Sequence, residues 1–341
     1  MTKLQEKIKL TFLILFVLLS PLTKNVQADT GGSAHSIPGH LIKASFLNLK
    51  EDLQEAAGAG RVLAIFFGQT GCSYCELIHK VNFADKPIAD LLKSNFDVVE
   101  LDSLGSREVK DFSGAVMTEK QFAYKVGIQF SPMLVFYLGD GTEVFRMKGY
   151  YKPDQFKAAL QFIAGGHYKS TNFRAYSAAH VPQSVAKSGL IDEMFFVKTG
   201  NINKLALDAK KRNKGVALLF TQNQCSSCVE LHEEIFSDAA IVSRLASKYE
   251  VVRINVLGKS EIKDLSGKAT TEAKLAEALR IRYTPTIVFL DEAGSEIIRY
   301  ESYLKRHDFT GLVQFVTTDA WQHTTSFQDW LRDEFYAARK L

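Results

Sequence analysis

The 341-residue chain has only four cysteines, and all of them fall in two close pairs, Cys72 with Cys75 and Cys225 with Cys228. None is left over for a structural framework, which excludes the small disulfide-stapled scaffolds. Charge of one sign is also missing: 42 Lys and Arg stand against 38 Asp and Glu, interspersed, with no Arg-rich or aromatic-interleaved patch. That gives no argument for a nucleic-acid surface, and no nucleic-acid partner is expected. Long apolar runs are scarce, and nothing after residue 19 could span a hydrocarbon core, which takes about 20 apolar residues. What the chain does not lack is apolar side chains. A hydrophobic share of 46% with 23% charged residues is that of a globular protein with real cores, so disorder is not the class.

The N-terminus carries Lys3, Lys7 and Lys9, an apolar run from Leu10 to Leu19, and a polar segment ending Val26-Gln27-Ala28. This is the three-part layout of a secretory signal peptide, with cleavage expected after Ala28. The apolar run is about half the length of a membrane span, which favours cleavage over anchoring. The mature protein is therefore expected to be exported to the periplasm and soluble there. Its length calls for two domains of about 150 residues each.

The first cysteine pair lies in Phe66-Phe67-Gly68-Gln69-Thr70-Gly71-Cys72-Ser73-Tyr74-Cys75, which reads as a buried strand, a polar turn and the first turn of a helix. Two thiols at this spacing can close a small disulfide, and a helix N-terminus favours the anion of the first. The stretch recurs as Leu219-Phe220-Thr221-Gln222-Asn223-Gln224-Cys225-Ser226-Ser227-Cys228. One offset of 153, without a gap, also carries His79 to His232, Phe83 to Phe236, Asp85 to Asp238, Leu104-Gly105 to Leu257-Gly258, Pro132 to Pro285 and Tyr150 to Tyr303. Beyond the last helix the match shifts by one residue, aligning Phe173 and Tyr176 with Phe327 and Trp330. A period this long is a duplicated domain, since solenoid units run to about 20 to 50 residues. The expected division is a leader at 1–28 and domains at 29–180 and 181–341, joined within the polar stretch Ala178 to Asp192.

Within the first repeat the apolar positions from Pro38 to Gly60 are helical in period, and Arg61 to Phe67 reads as a strand. After the cysteines come a helix from Glu76 to Phe83, a strand from Val98 to Leu101, a polar segment from Asp102 to Thr118 and a helix from Glu119 to Val126. The strand Met133 to Tyr137, a turn at Asp140-Gly141, the strand Glu143 to Met147 and a helix from Pro153 to Ile163 complete it. Strands that alternate with helices and end in a hairpin imply a mixed α/β sandwich with helices on both faces of the sheet. Ser131-Pro132 and Thr284-Pro285 each open an apolar strand. A proline there cannot donate into the ladder, and its recurrence beside both cysteine pairs marks it as a candidate cis bond.

Together these features resemble the thioredoxin superfamily, and within it the SoxW-type exported thioredoxins. The resemblance rests on Phe46 to Leu53, on Gly71-Cys72-Ser73-Tyr74-Cys75-Glu76, on the loop Leu101 to Gly114, and on Gly149-Tyr150-Tyr151-Lys152-Pro153. It implies two tandem thioredoxin-like αβα sandwiches with mixed central sheets, working as a thiol-disulfide oxidoreductase without cofactor or metal. Cys72 and Cys225 would attack, and Cys75 and Cys228 would resolve. Ser131, Pro132, Thr284 and Pro285 would present the substrate backbone. The resemblance implies protein thiols and disulfides as partners, with electrons from a membrane thiol transporter of the CcdA or DsbD kind. The chain departs from the wider family in two places: Gly71 and Gln224 stand where Trp is usual, and Phe66 and Leu219 where a buried Asp is usual. No acceptor is thereby named for the proton of the resolving cysteine. The absence of His between the cysteines leans toward a reductase.

The alternatives are an isomerase or oxidase, and a redox-inactive binding module of the same fold. His79 and His232, four residues past each resolving cysteine, are either a base or proton shuttle, or packing or surface residues. Two Cys-x-x-Cys pairs also make up a four-thiolate zinc set, but they lie in separate repeats.

Overall fold

Seven consecutive residues without a charged or hydrogen-bonding side chain, Val62 to Gly68, form the strand around which the first repeat is built, and six of them are buried. A computed structural model describes residues 39–181, 189–301, 305–324 and 326–339. The expected leader, Tyr303 and part of the expected junction lie outside the described residues. The strands of the first repeat are β1 (Val62–Gly68), β2 (Phe96–Asp102), β3 (Glu108–Lys110), β4 (Val116–Thr118), β5 (Met133–Tyr137) and β6 (Glu143–Lys148). β1 pairs in parallel with β2, Val62 opposite Phe96, and antiparallel with β5, Phe67 opposite Met133. The sheet order is β2-β1-β5-β6, so β1 has a strand on each edge, and its six consecutive buried residues show that both faces are covered. That explains why its sequence is continuously apolar instead of alternating. The parallel crossover carries Ser73–Leu77, a π-helical continuation Ile78–Asn82, and Lys86–Asn95, which packs beside Pro153–Ala164 on one face. Leu49–Gly58 packs against β1 and β2 as well.

The second repeat has β7 (Gly215–Thr221), β8 (Tyr249–Asn255), β9 (Glu261–Lys263), β10 (Ala269–Thr271), β11 (Thr286–Leu290) and β12 (Glu296–Glu301), in the order β12-β11-β7-β8. Every strand boundary repeats at the offset of 153, and so does the register shift in the final hairpin, at Phe136/Tyr137 and at Phe289/Leu290. The chain therefore forms two α/β domains with mixed sheets flanked by helices. Among the described residues no helix is long and apolar enough to cross a membrane.

Two expectations need correction. The helix expected from residue 38 begins only at Leu49. Ahead of it Ile42 bridges Val98 at the sheet edge, and Phe46 is fully exposed. Leu47 has φ +59, a left-handed turn that no helix tolerates, held by its N–H donating to Ser45 Oγ at 2.8 Å. The polar segment Asp102 to Thr118 contains the hairpin β3–β4, whose three-residue strands are too short to show a period. Its tip is set by Asp111, which accepts from Ser113 N and Ala115 N, and Asp264 does the same for Ser266 N and Lys268 N. At its base, a Cβ on Gly105 would stand 2.1 Å from Glu119 Oε2, so only glycine lets that buried carboxylate reach the Asp102 N–H.

Candidate functional site

Both cysteine pairs are closed as disulfides, Cys72–Cys75 and Cys225–Cys228, with Cα atoms 5.2 and 5.1 Å apart. The first cysteine of each pair is the N-cap of its helix, in extended backbone, and its sulfur accepts the N–H of the second at 3.1 Å in both repeats. A helix-start N–H aimed at the capping sulfur is the group that stabilises a thiolate once the bond is reduced. The residue before each first cysteine lies in the left-handed region, at Gly71 (φ +77) and Gln224 (φ +55). Glycine takes that conformation without strain and glutamine does not, so the same turn is held in two sequences at different cost.

Ser131-Pro132 and Thr284-Pro285 are both cis. Because Phe67 faces Met133 and Phe220 faces Thr286, each cis proline stands at the strand end from which the cysteine turn departs. In the second repeat Cys225 Sγ lies 3.5 Å from the Thr284 carbonyl oxygen. In the first, Ser131 Oγ is 2.9 Å from Ser103 Oγ.

The inner walls differ between repeats. Phe66 and Leu219, where the family's carboxylate is missing, are 1% and 0% exposed. A Cβ on Gly68 would stand 2.9 Å from Phe66 Cε1 and 3.8 Å from Cys75 Sγ, so the wall beside the resolving cysteine is ring and backbone. The second repeat has Thr221 at that position, with a buried Oγ1 that has no hydrogen-bond partner among the described residues. Sequence reading passed over this hydroxyl, although a polar residue ending an apolar strand was the signal for it. His79 packs its ring 5.6 Å from both Phe66 and Phe83. His232 is buried, with Nδ1 2.7 Å from Glu193 Oε1; burial lowers its pKa, and the carboxylate works against that.

Each cysteine site is faced by the other repeat. The Tyr74 hydroxyl, inside the first Cys-x-x-Cys motif, accepts the Lys305 N–H, and Lys152 pairs with Glu230 on the second cysteine helix. Between them Tyr151 meets Tyr283 and Phe130 stacks on Tyr300 at 4.9 Å. Lys148 reaches within 3.9 Å of the buried Glu301, its own counterpart at the offset of 153. Terminal helices complete the exchange. Gln328, on Phe327–Trp330, accepts the Ser131 N–H at 3.1 Å, and Asp329 pairs with Lys120 at 3.0 Å. Reciprocally, Phe173–His180 brings Arg174 into a cleft with Cys225 and Thr284. Sequence reading named neither Gln328 nor Arg174; the shifted alignment of Phe173 with Phe327 places them at matching positions.

A reversible disulfide at a helix N-terminus beside a cis X-Pro turn, on a mixed sheet flanked by helices, defines a thiol-disulfide oxidoreductase. The chain belongs to the family of thioredoxin-like domains, whose family model matches it twice, over residues 49–164 and 203–317. Among solved structures it is similar to a thioredoxin-fold protein from Helicobacter pylori, with 26% identity and a TM-score of 0.31 over 36% of this chain and 83% of that one. It is also similar to a thioredoxin from Thermus thermophilus, with 21% identity and a TM-score of 0.29 over 34% and 83%. A third is the oxidised C-terminal domain of DsbD from Neisseria meningitidis, with 14% identity and a TM-score of 0.27 over 35% and 97%. No curated protein matches the chain.

Proposed function

We propose that the protein is an exported reductase of protein disulfides with two working sites, in which Cys72 and Cys225 attack and Cys75 and Cys228 resolve. The observation that carries the order of attack is the capping geometry. Only the first sulfur of each pair accepts a helix N–H, and it is also the more exposed of the two, 6% against 1% in the first repeat and 8% against 4% in the second. In the dithiol state that hydrogen bond favours the thiolate, which attacks a substrate disulfide and forms a mixed disulfide. The inner cysteine then attacks the capping sulfur and releases the second substrate thiol. The turns Ser131-Pro132 and Thr284-Pro285 offer backbone groups to the substrate beside the sulfur.

Export is supported by Lys3, Lys7 and Lys9 ahead of the apolar run Leu10 to Leu19 and by the small residue Ala28. A membrane thiol transporter of the CcdA or DsbD kind would then return electrons to the sites. The loop after Leu101, which folds as the β3–β4 hairpin, supports the SoxW-type reading.

Insulin reduction by the full chain tests the reading. Cys72→Ser and Cys225→Ser should each lose the turnover of one site, and the double variant all of it; full activity in the double variant would refute the assignment. A reduction potential near about −270 mV fits a reductase, and one near about −120 mV marks an oxidant instead.

A further inference from the structure

The cleft beside Cys225 is built from both repeats. Cys225, Gln222, Arg282 and Thr284 come from the second, while Gln155 and Arg174 reach in from the first. Its backbone donor is open: the Thr284 N–H, which corresponds to the Ser131 N–H taken by Gln328, has no hydrogen-bond partner among the described residues. Its charge is open as well. Arg174 Nη1 is buried without a hydrogen-bond partner, and no carboxylate lies within ion-pairing distance of it among the described residues; Glu277 acts on it only from further off. Arg282 is held by neutral groups, donating to the Arg146 carbonyl at 3.3 Å and lying 5.0 Å from the Phe145 ring centre. A buried guanidinium N–H left without an acceptor costs free energy that an occupant with a carboxylate would recover. The equivalent position in the other site is the neutral Gln328, already engaged.

We propose that the Cys225 site takes a disulfide flanked by carboxylates, and that Arg174, supplied by the first repeat, is the residue that reads the negative charge. The inference rests on the reading of Cys225 as the attacking cysteine. The Cys225 thiolate attacks one substrate sulfur, forming a mixed disulfide and releasing a thiolate. The Cys228 thiolate then attacks Cys225, closing the internal disulfide and releasing the second thiolate. Two electrons pass from the cysteine pair to the substrate, and the two protons lost by the cysteines go to the two released thiolates. A dithiol donor restores the reduced pair.

The test uses the full chain with one site at a time, Cys72→Ser/Cys75→Ser for the second and Cys225→Ser/Cys228→Ser for the first. Each is reduced with dithiothreitol, freed of it, and mixed with oxidised glutathione or with cystamine, the anionic and cationic probes. A second pair of probes is a peptide disulfide flanked by Asp and the same peptide flanked by Lys. The anionic-to-cationic ratio of rate constants should be about tenfold higher at the second site than at the first. Arg174→Gln should bring it down to the first-site value, and Arg174→Lys, which also controls for folding, should retain most of it. A preference confined to glutathione assigns a free small disulfide, and one confined to the peptides assigns an acidic protein segment; either upholds the proposal. Equal ratios at the two sites, or a ratio unmoved by Arg174→Gln, would overturn it while leaving Cys225 as nucleophile. If the second site alone reduces no disulfide, insulin included, the reading of Cys225 fails and the proposal with it.

Discussion

The two cysteine sites share their frame and differ in what faces them. Capping sulfur, cis X-Pro turn, strand ends and even the register shift of the last hairpin coincide at an offset of 153. Against the first turn stands Gln328, bonded to the Ser131 N–H, whereas Arg174 stands in an open cleft at the second. Duplication kept the redox machinery in both halves. Divergence is found in the terminal helices, each of which serves the site of the other half. A change in one repeat is therefore read out as a change in the other repeat's substrate surface, which a chain of two independent domains would not show.

The comparison breaks most severely if the repeats come apart. Tyr151 is fully buried, packs on Tyr283 across the boundary, and its carbonyl accepts from Asn82 Nδ2 at 2.9 Å. Tyr151→Ala removes a large buried ring and should cost about 3 to 5 kcal/mol. Because the ring lies between the repeats, denaturant unfolding should then separate into two transitions. A single transition shifted by under about 1 kcal/mol would show that Tyr151 does not couple the halves.

A smaller change sharpens the contrast in occupancy. Gln328→Ala frees the Ser131 N–H, removing a competitor with a net worth of about 1 kcal/mol, the usual value of such a hydrogen bond. With the second site silenced by Cys225→Ser/Cys228→Ser, kcat/KM for a peptide disulfide at the first site should rise about fivefold. An unchanged or lower value would mean that Gln328 is not what limits access there.

How much of this was legible in the sequence follows from distance along the chain. The strands around Phe66 and Phe220, the cysteine caps and the two x-Pro turns are local patterns, and they stand where the sequence placed them. The contacts between Ser131 and Gln328 and between Tyr74 and Lys305 join residues about 200 apart that carry no mutual period, so no local pattern announced them. The helix expected from Pro38 failed for a local reason: Leu41 and Phe46 fit a helical period, but Leu47 turns left-handed and sends Ile42 to the sheet edge. The missing carboxylate was legible at Phe66 and Leu219. The buried Thr221 hydroxyl was not, because its place near a cysteine follows only from the position it shares with Gly68, whose Cβ would lie beside Cys75.

The smallest expected effect separates the two histidines, which occupy equivalent positions in unlike company. His79 lies among aromatic rings, while His232 is buried against Glu193, with burial the larger influence on its pKa and the carboxylate opposing it. A histidine whose pKa is lowered on folding binds its proton more readily in the unfolded chain. Between that lowered value and the ordinary value of about 6.5, the unfolded state therefore carries more protons, and stability rises with pH; above about 6.5 the contribution is flat. His232→Gln should remove this part of the slope and leave the rest of the pH profile in place. Denaturant midpoints measured from about pH 5 to about pH 7 give the comparison. Identical slopes in the two proteins would mean that His232 is not held neutral by its burial.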